Sequence, residues 1–318
     1  MWSRLLWAVA ALGQVLAAPP AIARGAGASA DRLVVAVSIL PQAYFVERVG
    51  GDHVRPVVLV GPGQSPHSYE PTPRQVAELS AARVYFTIGV EFEQGLLPRL
   101  RGMFPDLRVV DTRVGVPLRT MTPAELRADC DHDHQHGQRG TPDPHIWLAP
   151  RLVKIQAQTI CETLCEIDPG RADAYRQNLA AFQAELERLH ERIARVLAPF
   201  QGREVFVFHP AYGYFLDEFG MKQVPVEIEG KEPTARQLAK VIERARAAGV
   251  RIIFVQPQFA RKSAEAVAEA INGAVVPLDP LARDYVANLE RIAAELQSGL
   301  SAPAGTATRP SESPGGRP

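Results

Sequence analysis

Apolar side chains recur at Tyr175, Leu179, Phe182, Leu186, Leu189, Ile193 and Val196. The steps alternate between four and three residues, which keeps one face of a single helix apolar throughout. Asp168 stands where an N-cap belongs, Pro169 suits a first helical position, and Pro199 ends the run. A helix over residues 169–198 is about 45 Å long at 1.5 Å per residue, long enough to run the length of two small domains. The segment therefore predicts a stiff connector between an N-terminal lobe (31–168) and a C-terminal lobe (199–300). One long helix inside a single domain is the alternative.

The flanking sequence favours two lobes. Residues 70–79 read EPTPRQVAEL and residues 232–241 read EPTARQLAKV, with six of ten positions identical. In each, a Thr (Thr72, Thr234) is followed three residues later by Gln (Gln75, Gln237), the spacing of a capping box. Short β-branched runs at 33–38, 54–60, 84–88, 205–208 and 250–255 suit buried strands. Helix-period segments lie between them. Alternating strands and helices predict α/β lobes with mainly parallel sheets, and a length of 318 residues fits two of them.

The ends read differently. Arg4, the apolar run Leu5 to Leu12 and Ala21-Ile22-Ala23 have the form of a cleavable signal peptide over 1–23. An N-terminal membrane anchor is the alternative. The first cysteine is Cys130, so none near the cleavage site offers itself to a lipid. An exported, unanchored mature chain is expected, with a disordered tail over 301–318. Lys plus Arg and Asp plus Glu are both 35, a balance that argues against a nucleic-acid partner. Three cysteines make no disulfide framework. Cys161 and Cys165, four apart on a helical stretch, are badly placed to bridge and read as small buried hydrophobes.

The chemistry lies in the histidines. Asp131-His132-Asp133-His134-Gln135-His136 forms a metal-attracting loop segment beside Gly137 and Gly140. It is too sequential for a defined site and is expected to be auxiliary. His67, His145 and His209 each sit at the end of an element, where α/β folds gather binding residues. Their separations match no local zinc signature. Composition and spacing alone reach a two-lobed exported binder, with metal as one candidate ligand.

The motifs SPHSYEPTP, DPHIWLAP, FHPAYGYF, EGKEPT and PLDPL, in this order, resemble the substrate-binding proteins of zinc and manganese ABC importers. The resemblance runs from Val34 to the last helix. It implies two α/β lobes joined by a rigid helix, a metal in the cleft between them, and ligands His67, His145 and His209. It places Asp279 at the fourth position. Glu229 is its rival or a supporting group beside the metal, because the internal echo makes it the counterpart of His67, and water is the third option. Three imidazoles favour zinc over manganese. Capture in the periplasm by a monomer, and delivery to a membrane permease with its own ATPase, follow from the resemblance. Ala149 departs from the family pattern, which has Asp there.

Other classes remain in view. Three histidines with an open position also describe a hydrolytic zinc site, with Glu227, Glu229 and Glu232 as available bases. A manganese binder and a metal-dependent adhesin are further alternatives. A nucleotide-driven pump within this chain is excluded, because Gly230-Lys231 is followed by Glu232 and Pro225 stands where the phosphate loop needs its first Gly.

Overall fold

Two four-stranded parallel sheets share one strand plan. In the first, β1 (Leu33–Ile39) lies between β2 (Val54–Val60) and β3 (Val84–Thr87), with β4 (Arg108–Asp111) outside β3. In the second, β5 (Glu204–Val207) lies between β6 (Lys222–Pro225) and β7 (Ile252–Val255), with β8 (Ala274–Pro277) outside β7. The pairings between these strands are all parallel, as the alternation of strands and helices predicts. Pro56 is tolerated because β2 is an edge strand, where a missing N–H need not break a ladder. Pro225 ends β6, the edge of the second sheet. The computed structural model describes residues 32–121, 142–227, 234–259 and 261–301. The expected signal peptide, most of the expected tail, the loop residues Asp131 to His136, Cys130 and Glu229 lie outside the described residues.

The helices in chain order are α1 (Leu40–Gly50), α2 (Pro73–Leu79), α3 (Glu91–Met103), α4 (Pro150–Ile167), α5 (Ala172–Leu197), α6 (Gly213–Glu218), α7 (Ala235–Ala247), α8 (Lys262–Ala270) and α9 (Tyr285–Ser301). Both capping boxes form. Thr72 accepts from the Gln75 N–H and Thr234 from the Gln237 N–H, and each glutamine side chain reaches back to its cap. They start α2 and α7, one in each half of the chain.

The connector is α5, 26 residues flanked by 3₁₀ turns at Pro169–Arg171 and Ala198–Phe200. It is about 39 Å long, shorter than the sequence predicts. Asp168 does not cap it. Its carboxylate instead accepts from the Tyr175 hydroxyl and from Arg171, so the chain enters through a tight turn before the helix begins. The apolar stripe is buried from Tyr175 to Ile193, but Leu197 replaces Val196 as its last fully buried member. That stripe belongs to a continuous core that also includes Val35 and Phe86 of the first sheet and Val205 and Phe254 of the second. A smaller core under α7 and α8 is confined to the second sheet. The described residues from Leu33 onward make one compact body. Cys161 and Cys165 are free thiols with sulfurs 3.9 Å apart, and burial pushes the Cys161 thiol up to about 12. No described helix is long and apolar enough to cross a membrane.

Candidate metal centre

In parallel sheets of this plan, side chains just past the C-terminal strand ends meet at one edge. Beyond the ends of three adjacent strands of the second sheet stand His209 after β5, Glu227 after β6 and Gln256 after β7. The Gln256 amide grips the backbone of His209 in both directions: its Oε1 accepts from the His209 N–H at 3.1 Å and its Nε2 donates to the His209 carbonyl at 2.7 Å. The backbone that carries the imidazole is thereby fixed. Phe259 stacks on the ring at 4.7 Å between ring centroids. From the other half of the chain come His67, in the loop between β2 and α2, and His145, just ahead of the 3₁₀ turn Ile146–Leu148.

These three histidines are the group among the described residues able to hold a metal ion, with one ligand atom from each lying within 4.8 Å of the others. Nε2 of His67 and Nε2 of His209 are 3.0 Å apart. Tetrahedral zinc with Zn–N bonds near 2.0–2.1 Å sets its ligand nitrogens about 3.4 Å apart, so small adjustments satisfy the geometry. His145 and His209 are buried, whereas the His67 side chain is 31% exposed, which marks it as the solvent side of the site.

Each imidazole has a carboxylate behind it. His209 Nδ1 lies 2.5 Å from Glu227 Oε1, His145 Nδ1 lies 2.7 Å from Asp143 Oδ1, and His67 Nδ1 lies 3.5 Å from Glu91 Oε2. A carboxylate only accepts, so Nδ1 of His209 and of His145 carries the proton and their Nε2 atoms present lone pairs to the centre, while His67 faces its carboxylate at longer range. The outer carboxylates supply the negative charge that three neutral imidazoles lack, which lets a buried dication be held without a carboxylate ligand. Burial, and then the neighbouring His209, hold the His67 imidazole below its ordinary pKa; burial also lowers that of His209 against the pull of Glu227. Both rings are therefore neutral at neutral pH, and a metal displaces few protons.

Asp143 is itself anchored. Burial would raise its pKa, but His145 and Arg119 together hold the carboxyl below the usual range. Arg119 Nη1 donates to Asp143 Oδ2 at 2.7 Å and its Nε donates to Asp217 of α6 at 2.9 Å. The Tyr214 hydroxyl accepts from the Arg119 N–H and donates to the Asp143 carbonyl. A Cβ at Gly213 would push the Arg119 guanidinium out of its place against Asp143. This cluster ties the backing of His145 to the half of the chain that carries His209.

Asp279, expected at the fourth position, is not brought into the histidine group. Its Oδ1 accepts from the Leu281 N–H and from Gln258 Nε2, both at 2.9 Å, and its carbonyl accepts from Asn288. The carboxylate holds the turn after β8, whose Pro280 carbonyl accepts from Trp147 Nε1 at 2.8 Å. The sequence reading missed Glu91, Asp143 and Gln256 altogether, and considered Glu227 only as a hydrolytic base. Asp143 had a visible signal, two residues before His145; Glu227 and Gln256 had none outside the strand-end rule.

The chain is similar to known proteins in both sequence and fold. A family model described as zinc-uptake complex component A, periplasmic, matches residues 35–299. A solved structure of ZnuA superposes with a TM-score of 0.79 at 41% identity, covering 85% of this chain and 100% of that one. A solved ZnuA deletion mutant with zinc bound gives a TM-score of 0.78, also at 41% identity, covering 86% and 100%. The high-affinity zinc uptake system protein ZnuA of Yersinia pestis is 29% identical over 274 residues, 79% of this chain and 84% of that protein.

Proposed function

The chain belongs to the family of periplasmic zinc-uptake complex component A, and on that premise we propose that His67, His145 and His209 capture zinc between the two sheets for delivery to a membrane importer. One observation carries the assignment: three ring nitrogens converge while the opposite nitrogen of each ring faces a carboxylate. Three imidazoles and no carboxylate in the group favour zinc over manganese, which prefers oxygen ligands. Members of this family are solute-binding proteins, and the site here suits capture rather than hydrolysis. Among the described residues, the carboxylates nearest the histidines face the ring nitrogens that point away from the centre.

In this reading the chain is exported by cleavage of residues 1–23 without a lipid anchor and acts as a monomer. It binds zinc between lobes 31–168 and 199–300 and docks on an ABC permease whose partner ATPase supplies the energy. The loop with Asp131, His132, Asp133, His134 and His136 collects zinc weakly beside the main site. The test is metal analysis of the untagged full chain purified without added metal, beside His67→Ala, His145→Ala and His209→Ala. One zinc per chain in the parent and a large loss in each variant is expected. Zinc retained in all three variants overturns the assignment.

A further inference from the structure

The helix α4 begins without a cap of its own. Its N-cap residue, Ala149, has no side-chain acceptor, and Pro150 at the first helical position has no N–H to satisfy. The first orphan donor of the helix is therefore the Arg151 N–H, and it donates to the carboxylate of Glu218, the last residue of α6. That carboxylate also accepts from His190 Nδ1 of α5 at 2.5 Å. The side chains of Glu218 and His190 are 8% and 10% exposed, and the His190 ring stacks on Phe219 at 5.2 Å between centroids. A negative charge there suits the positive end of the α4 macrodipole as well as its N–H. In α2 and α7 the capping oxygen comes from the adjoining residue, Thr72 or Thr234. In α4 it comes from the other half of the chain.

His145 stands four residues before Ala149, and the 3₁₀ turn Ile146–Leu148 fills the interval. Gln156 of α4 donates to the Ile146 carbonyl, which fastens that turn to the helix. On the other side, Pro210, Ala211 and Tyr212 are all that separate His209 from α6. Resting on the zinc reading above, we infer that Glu218 is a positioning residue of the metal centre: it supplies the cap that α4 lacks and, by supplying it from α6, sets the His145 segment against the His209 segment. His190 fixes the carboxylate from the connector, so three helices meet on one side chain. Asp217, its neighbour, takes Arg119, which holds Asp143 behind His145. The end of α6 therefore grips the His145 segment on both sides, at Asp143 and at Arg151. A local cap would keep α4 helical and leave its start able to slide against α6. A cap from α6 ties the helix start to the spacing of two ligands, and preorganised ligands bind more tightly because less ordering is left for the ion to impose.

The test uses the full chain and the variants Glu218→Gln, Ala149→Ser and both together. Glutamine has one accepting oxygen for two donors, and serine is the smallest good N-cap for a place that is 1% exposed. Three quantities are read: hydrogen exchange of the Arg151 amide, melting of the zinc-free chain, and zinc affinity against a competing chelator. Glu218→Gln is expected to speed the exchange, lower the melting temperature and weaken zinc binding about 10-fold, the low end for a group acting behind metal ligands. Adding Ala149→Ser should restore the exchange protection and the melting temperature but not the zinc affinity, because the new cap does not reach α6. Zinc affinity restored along with the protection shows a helix cap and nothing more, and overturns the inference. So does parental zinc affinity in Glu218→Gln. If Glu218→Gln does not fold alone, the locally capped double variant decides: parental affinity overturns the inference, and a loss of about 10-fold supports it. A parent that binds no zinc fails the functional reading instead.

Discussion

Glu227→Gln isolates the contribution of a buried charge to metal binding, because it keeps the shape of the side chain and removes only the charge. Glu227 is 1% exposed and its Oε1 lies 2.5 Å from His209 Nδ1. Across the imidazole the carboxylate stands roughly 6.5 Å from a zinc bound at Nε2, taking about 2 Å for the Zn–N bond. A charge of −1 and one of +2 at that distance attract by about 5 kcal/mol at an effective dielectric of 20, and by about 1 kcal/mol in water. Each 1.4 kcal/mol is tenfold in affinity, so the loss should fall between about 10-fold and about 4,000-fold, with the lower half favoured by measured effects of supporting groups. A glutamine that turns its NH2 toward Nδ1 forces the proton onto Nε2 and deepens the loss. The assay is chelator competition at pH 7.5 on the full chain, with melting of the zinc-free form as the control. Zinc binding within twofold of the parent refutes the claim that the carboxylate behind His209 charges the site.

Four other outcomes are expected. His67 and His209 both titrate below 6.5 in the fold, so the unfolded chain binds more protons between 6.5 and their lowered values. Their contribution to the stability of the zinc-free protein is therefore full above pH 6.5 and is lost as pH falls through the folded values; urea melts from pH 7.5 to 5 that show a rise from these groups contradict the sign. Zinc affinity should hold near pH 6.5 and fall below it, as read by chelator competition over the same range. Removing residues 129–136 should abolish weak zinc equivalents and leave the tight one in an equilibrium titration; loss of the tight site reverses the roles of loop and cleft. Leu186→Ala empties a fully buried place on α5 and should cost about 2–5 kcal/mol in a denaturant melt, whereas a cost under 1 kcal/mol shows that the stripe is not core.

Much of the architecture was legible because it rests on local rules. The four-three spacing from Tyr175 to Ile193 is a helix face whatever surrounds it, and Thr72 and Thr234 cap by contacts three residues away. The strands β4 and β6 escaped notice because RVVD and KQVP are short, flanked or interrupted by polar residues, and gain their place only by pairing with β3 and β5. Asp168 looked like a cap until Tyr175 and Arg171 competed for its oxygens. At the site, the histidines were reached through motif resemblance, since residues so far apart in sequence have no local sign of meeting. Glu227 and Glu91 were hidden for the same reason, whereas Asp143 stands two residues before the histidine it backs. Asp279 fitted the motif, yet its Oδ1 is engaged by the turn after β8, a detail that only neighbouring backbone reveals.

The helix α5 shares one uninterrupted core with both sheets, and that limits what a docked importer is able to sense. Swinging the two sheets apart would tear Tyr175, Phe182 and Leu189 out of contacts that are sealed from water. A wide clamshell angle is therefore a poor messenger of whether cargo is aboard. The message has to be written at the rim, where His67 sits half in solvent and Arg119 reaches from the backing of His145 to Asp217. An importer reading that rim would recognise a loaded carrier by the stillness of a few side chains rather than by the outline of the whole molecule.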